Sequence, residues 1–315
     1  MRQLLWLGAV LISASACQGA IDEQKPVTVP DLIQQLSHND FHVRQRAAKQ
    51  LGDLGLAARD AVPALARLLH DVYPDVRNSA AKALAQIGPP AVPHLVQTLK
   101  DRDAGIRARA AQALGQGGPD VKGAMPPLIE ALMDKHVDVR VAAVDALGEM
   151  GVEGSEAAPN LAQLFHDPSL RVREHVRVAL SSIGPAAVDP LCDVLGAERA
   201  DVRLDAIKTI ALFGRYGKKA VPALRQSLKD EDHRIRAAAA ETLGLMRAEG
   251  ADAVPELLAS LRDKKQLVHD KAADTLVLMT MDGVPDLLEK VRAAERKGQW
   301  VVPNQIVAAA ANPLT

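Results

Sequence analysis

The chain repeats itself at fixed internal distances, and that repetition limits its folds more than anything else. Pro30, Pro63, Pro93, Pro126, Pro159, Pro222, Pro255 and Pro285 mark successive units, with Asp189 filling the one gap and Pro190 displaced by one. Thirteen residues after each of the first eight anchors stands a β-branched residue: Val43, Val76, Ile106, Val139, Val172, Val202, Ile235 or Val268. An arginine follows at 44, 77, 107, 140, 173, 203 and 236, with His269 in the eighth unit. Eleven residues beyond come Gly55, Gly88, Gly118, Gly151, Gly184 and Gly214, replaced by Arg247 and Thr280 in the last two units. The period nonetheless alternates between 30 and 33, because the gap from the glycine position to the next anchor is five or eight residues. A constant unit with a variable outgoing loop is the mark of a solenoid.

Within a unit the pattern predicts two helices. Apolar residues fall two and six positions after each anchor, as in Leu32/Leu36, Leu65/Leu69, Leu95/Leu99, Leu128/Leu132 and Leu161/Phe165, which places them on one helical face. Proline is tolerated in the first turn, where its missing N–H is not needed. The second helix carries a three-position stripe, Val43-Ala47-Leu51, Val76-Ala80-Leu84, Ile106-Ala110-Leu114 and Val202-Ala206-Ile210, whose middle member is small in seven of eight units. A small middle residue lets neighbouring helices approach closely, and glycine at the end supplies the left-handed cap. One such hairpin cannot bury its own face, so stacked neighbours must complete the core.

The pattern A-V-P-x-L-x-x-x-L-x-D…V-R-x-x-A-A-x-A-L-G-x-I-G resembles a HEAT repeat, of the short class named after phycobiliprotein lyases. The resemblance covers residues 29 to about 292, and its best copies are Ala61 to Gly88 and Ala91 to Gly118. It implies an all-α fold of the armadillo-like kind, a right-handed α-solenoid superhelix of about eight HEAT-like helical hairpins. Repeats would start near 29, 61, 91, 124, 157, 187, 220 and 253, with a lone helix from 284. At the usual helix spacing the array should run roughly 70–80 Å. The resemblance also implies a structural ladder in which Asp71, Asp101, Asp134, Asp167, Asp230 and Asp263 meet the repeat arginines. Ala197 stands where the sixth aspartate belongs and His269 where the eighth arginine belongs, so weaker junctions are expected around repeats five to six and at the C-terminal end.

The N-terminal residues read as an export signal over 1–16. Arg2 gives a minimal positive region, Leu4 to Ile12 is an apolar run, and Ser13-Ala14-Ser15-Ala16-Cys17 follows. The run falls short of the roughly 20 apolar residues a bilayer core requires and fits a removable signal peptide. Ala14-Ser15-Ala16-Cys17 resembles a bacterial lipobox, with Ala14 where leucine is commonest; it implies lipidation of Cys17, and the plain alternative is an unmodified thiol beside a cleavage site. Residues 17–28 would then tether a periplasm-facing body, Gln18 to Thr28 reaching at most about 36–40 Å from the membrane. Cys192, the other cysteine, matches Ile33, Ala66, Val96 and Leu288 in other repeats and reads as a small packing residue. Residues 293–315, with Trp300-Val301-Val302, form either a cap over the last core face or a disordered tail.

Composition and motifs narrow the function. With 38 Lys+Arg against 39 Asp+Glu, formal net charge is −1, and no global positive field draws the chain to nucleic acid. Seven aromatics are too few for base-stacking platforms. HExxH, a P-loop and a G-x-S-x-G elbow are absent from the sequence. His70-Asp71 and His166-Asp167 look like metal-binding pairs, but other repeats place Lys100, Lys229 or Arg262 there, near a helix C-terminus where a basic residue complements the dipole. The repeat also occurs in di-iron hydroxylases that carry His-Glu dipeptides, which this sequence lacks, and in bilin lyases, which act inside photosynthetic cells. No catalytic residue, metal or cofactor is therefore assigned.

By the resemblance, positions two and six after the β-branched residue line the concave face. Position six reads Lys49, Lys82, Gln112, Asp145, Val178, Lys208, Glu241 and Asp274; position two includes Val141 and Leu204. The stripe is basic at its N-terminal end, acidic at its C-terminal end and apolar in the middle. Exposed apolar residues flanked by charge mark a partner site, though curvature could bury them. The leading expectation is a non-catalytic scaffold in the cell envelope that binds a protein through Lys49, Lys82, Val141, Asp145, Val178, Leu204, Lys208, Glu241 and Asp274. The alternative is an accessory lyase or oxidoreductase with a metal or chromophore.

Overall fold

The computed structural model describes residues 27–118 and 123–281. The signal segment, Cys17, the tether as far as residue 26, the helix expected from 284 and the tail with Trp300 lie outside the described residues. Eight hairpins follow one another: α1 (Val29–Gln35) and α2 (Phe41–Asp53), α3 (Val62–Leu68) and α4 (Pro74–Ile87), α5 (Val92–Thr98) and α6 (Ala104–Gln116), α7 (Met125–Ala131) and α8 (Val137–Glu149). Then come α9 (Ala158–Gln163) and α10 (Leu170–Ile183), α11 (Val188–Val194) and α12 (Ala200–Ala211), α13 (Val221–Ser227) and α14 (His233–Leu245), α15 (Val254–Ser260) and α16 (Gln266–Met281). The described residues contain no strand. The fold is the expected α-solenoid.

The anchor prolines open the first helices, as at Pro30, Pro63 and Pro93. Thr28 and Asp31 form a capping box on α1, while Asp40, Asp103 and Asp232 cap α2, α6 and α14. Both apolar stripes point into one continuous core. The middle residues of the second helices, Ala47, Ala80, Ala110, Ala143, Val176, Ala206, Ala239 and Ala272, are fully buried. Cys192 is half-buried against that core, and burial, with Asp189 and Asp193 adding to it, pushes its thiol up to about 11. The thiol therefore stays protonated and unreactive at neutral pH.

Two kinds of junction join the repeats. Where the connector is long, it runs as 3-10 turns, Gly55–Ala61, Gly151–Ala157, Gly214–Ala220 and Arg247–Ala253, packed between successive first helices. The second helices close on each other instead. A Cβ on Gly52 would lie 2.9 Å from Ala83 Cα, one on Gly115 2.6 Å from Ala146 Cα, and one on Gly148 2.8 Å from Ala179 Cα. Spacing the first helices apart while the second helices close bends the array towards the second helices, whose free face is concave. At the short connectors, Pro89–Ala91 and Pro185–Ala187, first helices α3 and α5, and α9 and α11, pack directly. There the position of the close-approach glycine carries Ala85 and Ser181. Gly88 and Gly184 turn the chain at φ 79°, ψ −136° and φ 87°, ψ −159°, a region open only to glycine.

The ladder follows the same division. Arg44–Asp71, Arg107–Asp134, Arg140–Asp167, Arg203–Asp230 and Arg236–Asp263 are two-pronged pairs, with Nε to Oδ2 at 2.6–2.8 Å and Nη2 to Oδ1 at 2.8–3.0 Å. All five span long connectors. Across the short ones the rung is missing. Asp101 does not receive Arg77 but accepts from the Asp103 N–H and pairs with His70 at 2.8 Å. Arg77 keeps only bonds to the carbonyls of Asp71 and Val72, with its Nε buried and unpartnered. Arg173 turns to Asp205 at 3.3 Å.

Candidate functional site

The inner face comprises more rows than the two expected from sequence. A cleft of about 390 Å³ crosses α6, α8 and α10, lined by Gly105, Ala108, Arg109, Gln112, Asp138, Val141, Ala142, Asp145, Ala146, Glu149 and Arg171, with Asn78 at its rim. These residues fall at 12, 15, 16, 19, 20 and 23 positions after their anchors. The row at 23 was missed; it lies one helical turn past the row at 19, and that spacing was the available signal. It reads Asp53, Gln86, Gln116, Glu149, Ser182, Leu212 and Leu245 through seven repeats.

The nine expected residues fare differently. Lys49, Lys82 and Lys208 are exposed and meet no carboxylate among the described residues. Asp274 is exposed in the same way. Asp145 meets His175 Nδ1 at 2.6 Å, and Glu241 accepts from Lys271 Nζ at 2.7 Å, so Lys271 offsets part of the acidic end. The apolar centre needs correction. Val141 is 4% exposed and forms part of the core, and Leu204 is half-buried against it. Val178 alone of the three projects, at 62% exposure. Connector length explains this. The row at 15 is covered or half-covered at Gln45, Ala108, Val141, Leu204 and Ala237, each followed by a long connector, and exposed at Asn78, Glu174 and Asp270, each followed by a short one. Exposed apolar surface continues through Leu212 and Leu245 instead.

Charges in the cleft are unevenly matched. Asp138 bonds Arg171 at 2.5 Å and Asp145 bonds His175. Arg109 donates to the Gly105 carbonyl at 2.9 Å and reaches Asn78 at 3.4 Å, without a carboxylate partner. Desolvation, reinforced by Arg77, lowers its affinity for the proton. Glu149 has no hydrogen bond or ion pair among the described residues; desolvation, then the charge of Asp145, raises its pKa. A second recess, of about 580 Å³, lies on the first-helix side between α7 and α9, with Met133 on its rim. Among the described residues no cluster of His, Cys, Asp and Glu is arranged to hold a metal, and no helix is long and apolar enough to cross a membrane.

Residues 29–115, 92–181, 125–211 and 188–277 match the family of HEAT repeats. The chain belongs to the HEAT-repeat family. No curated protein sequence matches it. Among solved structures, this HEAT-repeat protein is similar to the karyopherin Kap121p bound to the extreme C-terminus of the protein phosphatase Cdc14p, at 13% identity and TM-score 0.60, over 90% of this chain and 37% of that one. It is similar to Kap95p in a complex with RanGDP, at 14% identity and TM-score 0.55, over 94% of this chain and 45% of that one. It thus spans less than half the length of those karyopherins. The CpcE–CpcF phycocyanin lyase complex of Nostoc sp. PCC7120 is matched at 24% identity and TM-score 0.40, over 86% of this chain and 99% of that one. Those likenesses concern the fold. HEAT solenoids are generally protein-interaction scaffolds.

Proposed function

We propose that this HEAT-repeat protein is a non-catalytic scaffold that holds a protein partner along its second-helix face. The observation that carries the proposal is the set of apolar residues Val178, Leu212 and Leu245, from two adjacent rows of that face, exposed in three consecutive repeats at 62%, 59% and 48%. Clustered apolar exposure on a charged surface marks an interaction site. The free lysines Lys49, Lys82 and Lys208 add a basic component, and Asp274 an acidic one. In the same proposal the protein is exported and carries lipid on Cys17, facing the periplasm from the cell envelope; the support is the apolar run followed by Ala14-Ser15-Ala16-Cys17.

The test is native affinity purification from detergent-solubilised membranes with mass spectrometry of the bound proteins and of the N-terminus. The wild-type chain should retain a stoichiometric protein and carry lipid on Cys17. Val178→Asp with Leu212→Asp should lose that partner, while Met133→Asp on the opposite side should keep it. Undiminished capture by the inner-face variant would overturn the binding assignment, and an unmodified Cys17 in the soluble fraction would overturn the anchoring.

A further inference from the structure

The inner face changes sign along the array. In the rows at 15, 16 and 19, helices α2, α4 and α6 carry four cations, Arg46, Lys49, Lys82 and Arg109, and no anion. Arg46, Lys49 and Lys82 are exposed and make no hydrogen bond or ion pair among the described residues. Arg109 bonds the Gly105 carbonyl and Asn78, which draws its guanidinium towards α4, where Asn78 lies one turn from Lys82. The three helices are neighbours in order, α2 against α4 and α4 against α6. Two exposed amides, Asn78 and Gln112, stand among the cations. Acids return at the margins of this band. Asp75 and the cap Asp103 border it on one side; Asp53 and Glu149, which reaches over Gly115, border it on the other. Beyond α6 the band stops, because the same rows hold Asp145 on α8 and Glu174 on α10.

A band of uncompensated cations with acids along both edges attracts a negative chain that lies along the array and repels one that strays to either side. Each exposed ion pair contributes little, so affinity requires several contacts on one chain. The amides narrow the class of that chain. Asn78 and Gln112 each offer a carbonyl oxygen as well as N–H groups, and a peptide backbone supplies N–H donors to that oxygen. A phosphodiester backbone offers acceptors alone, and none of the described aromatic residues lies in these rows to stack a base. We propose that α2, α4 and α6 bind an acidic, extended polypeptide segment of the partner, running along the array towards Val178, Leu212 and Leu245. The inference rests on the scaffold reading above and supplies the charge and length of one part of its partner. Two helix spacings separate α2 from α6, roughly 16–20 Å, which an extended chain covers in about five or six residues. The same distance again leads from α6 to α10, so apolar side chains about five or six residues beyond the acidic stretch meet Val178.

The experiment is fluorescence anisotropy with the full chain and labelled Gly-Glu-Asp-Glu-Glu-Asp-Gly. Controls are the same peptide with Gln and Asn for Glu and Asp, one with Lys at those positions, and labelled hexathymidylate. The acidic peptide should bind about tenfold more tightly than each control at low ionic strength, and added salt should weaken it. Lys82→Glu should weaken it about fivefold. Arg67→Glu, the same change of charge on exposed α3 surface of the same repeat, should alter it by less than about twofold. Lys49→Glu combined with Lys82→Glu should turn the preference to the lysine peptide, which damage to the fold cannot imitate. Equal binding of the acidic and amide peptides, hexathymidylate binding as tightly as the acidic peptide, or equal losses in Lys82→Glu and Arg67→Glu would overturn the inference. If those results came with partner capture still lost in the Val178 and Leu212 variant, the scaffold reading would stand and the acidic-segment site alone would fall.

Discussion

The junction between repeats four and five and the junction between repeats two and three carry the same arginine and aspartate and pack differently. In the first, a long connector separates α7 from α9, Gly148 brings α8 against α10, and Arg140 grips Asp167 with both prongs. In the second, a short connector lets α3 pack on α5, Ala85 replaces the close-approach glycine, and Arg77 and Asp101 pass each other by. All seven arginines still close their own inter-helix turn, through Nη1 to the carbonyl six residues back. Three residues of loop therefore decide whether this side chain also locks the next repeat. The rungs divide the array into blocks of repeats one and two, three to five, and six to eight.

The contrast gives its largest effect when a rung is cut. Arg140→Ala strands a mostly buried Asp167 and should cost about 3–5 kcal/mol in urea unfolding. Arg77→Ala loses only its turn bonds and should cost about 1–2 kcal/mol. Equal losses would erase the distinction. Next comes the close approach. Gly148→Ala drives a methyl group to within 2.8 Å of Ala179 and should cost about 1–3 kcal/mol, while Ser181→Ala at the short junction should change stability by less than about 0.5 kcal/mol. Gly184→Ala should cost a similar amount, about 1–3 kcal/mol, for a different reason: nothing lies within 4 Å of its Cβ position, and the penalty is the backbone angle alone.

The smallest effect concerns acid. Burial pushes the Asp71 and Asp134 carboxyls up, but the guanidinium bonds from Arg44 and Arg107 and the main-chain N–H groups of Tyr73 and His136 outweigh it, and both end below the usual range. The bond from Arg236, against burial, does the same for Asp263. A depressed folded-state pKa contributes stability that is present above the unfolded value of about 3.9 and is lost as pH falls through the folded value. Melting temperature should therefore drop below about pH 4, and Asp71→Asn should flatten that drop. An unchanged acid profile would show that the rung carboxylate is not held ionised.

The hairpins were legible because the distances from anchor to β-branched residue, arginine and glycine never vary, so a local 3.6-residue pattern could be read eight times over. The Asp–Arg ladder was legible only in part. The substitutions at Ala197 and His269 suggested weak points, and both fall at short connectors, but Arg77 and Asp101 keep the expected identities and still form no rung. Identity alone does not carry that outcome; distance along the connector does. The same cause hid the true inner face. Val141 and Val178 look alike in sequence, yet the row of Val141 is closed over where second helices pack tightly, while the row of Val178 faces out. Spacing places Glu149 on the inner face, but that Arg109 and Glu149 lack carboxylate or basic partners left no sequence signal.

The most direct test of this division is a pair of double-mutant cycles, Arg140 with Asp167 and Arg77 with Asp101, each residue changed to alanine and stability measured by urea unfolding. A coupling of about 2–3 kcal/mol in the first cycle and within about 0.5 kcal/mol of zero in the second is expected. Equal coupling in both would contradict the claim that connector length decides which repeats are locked together.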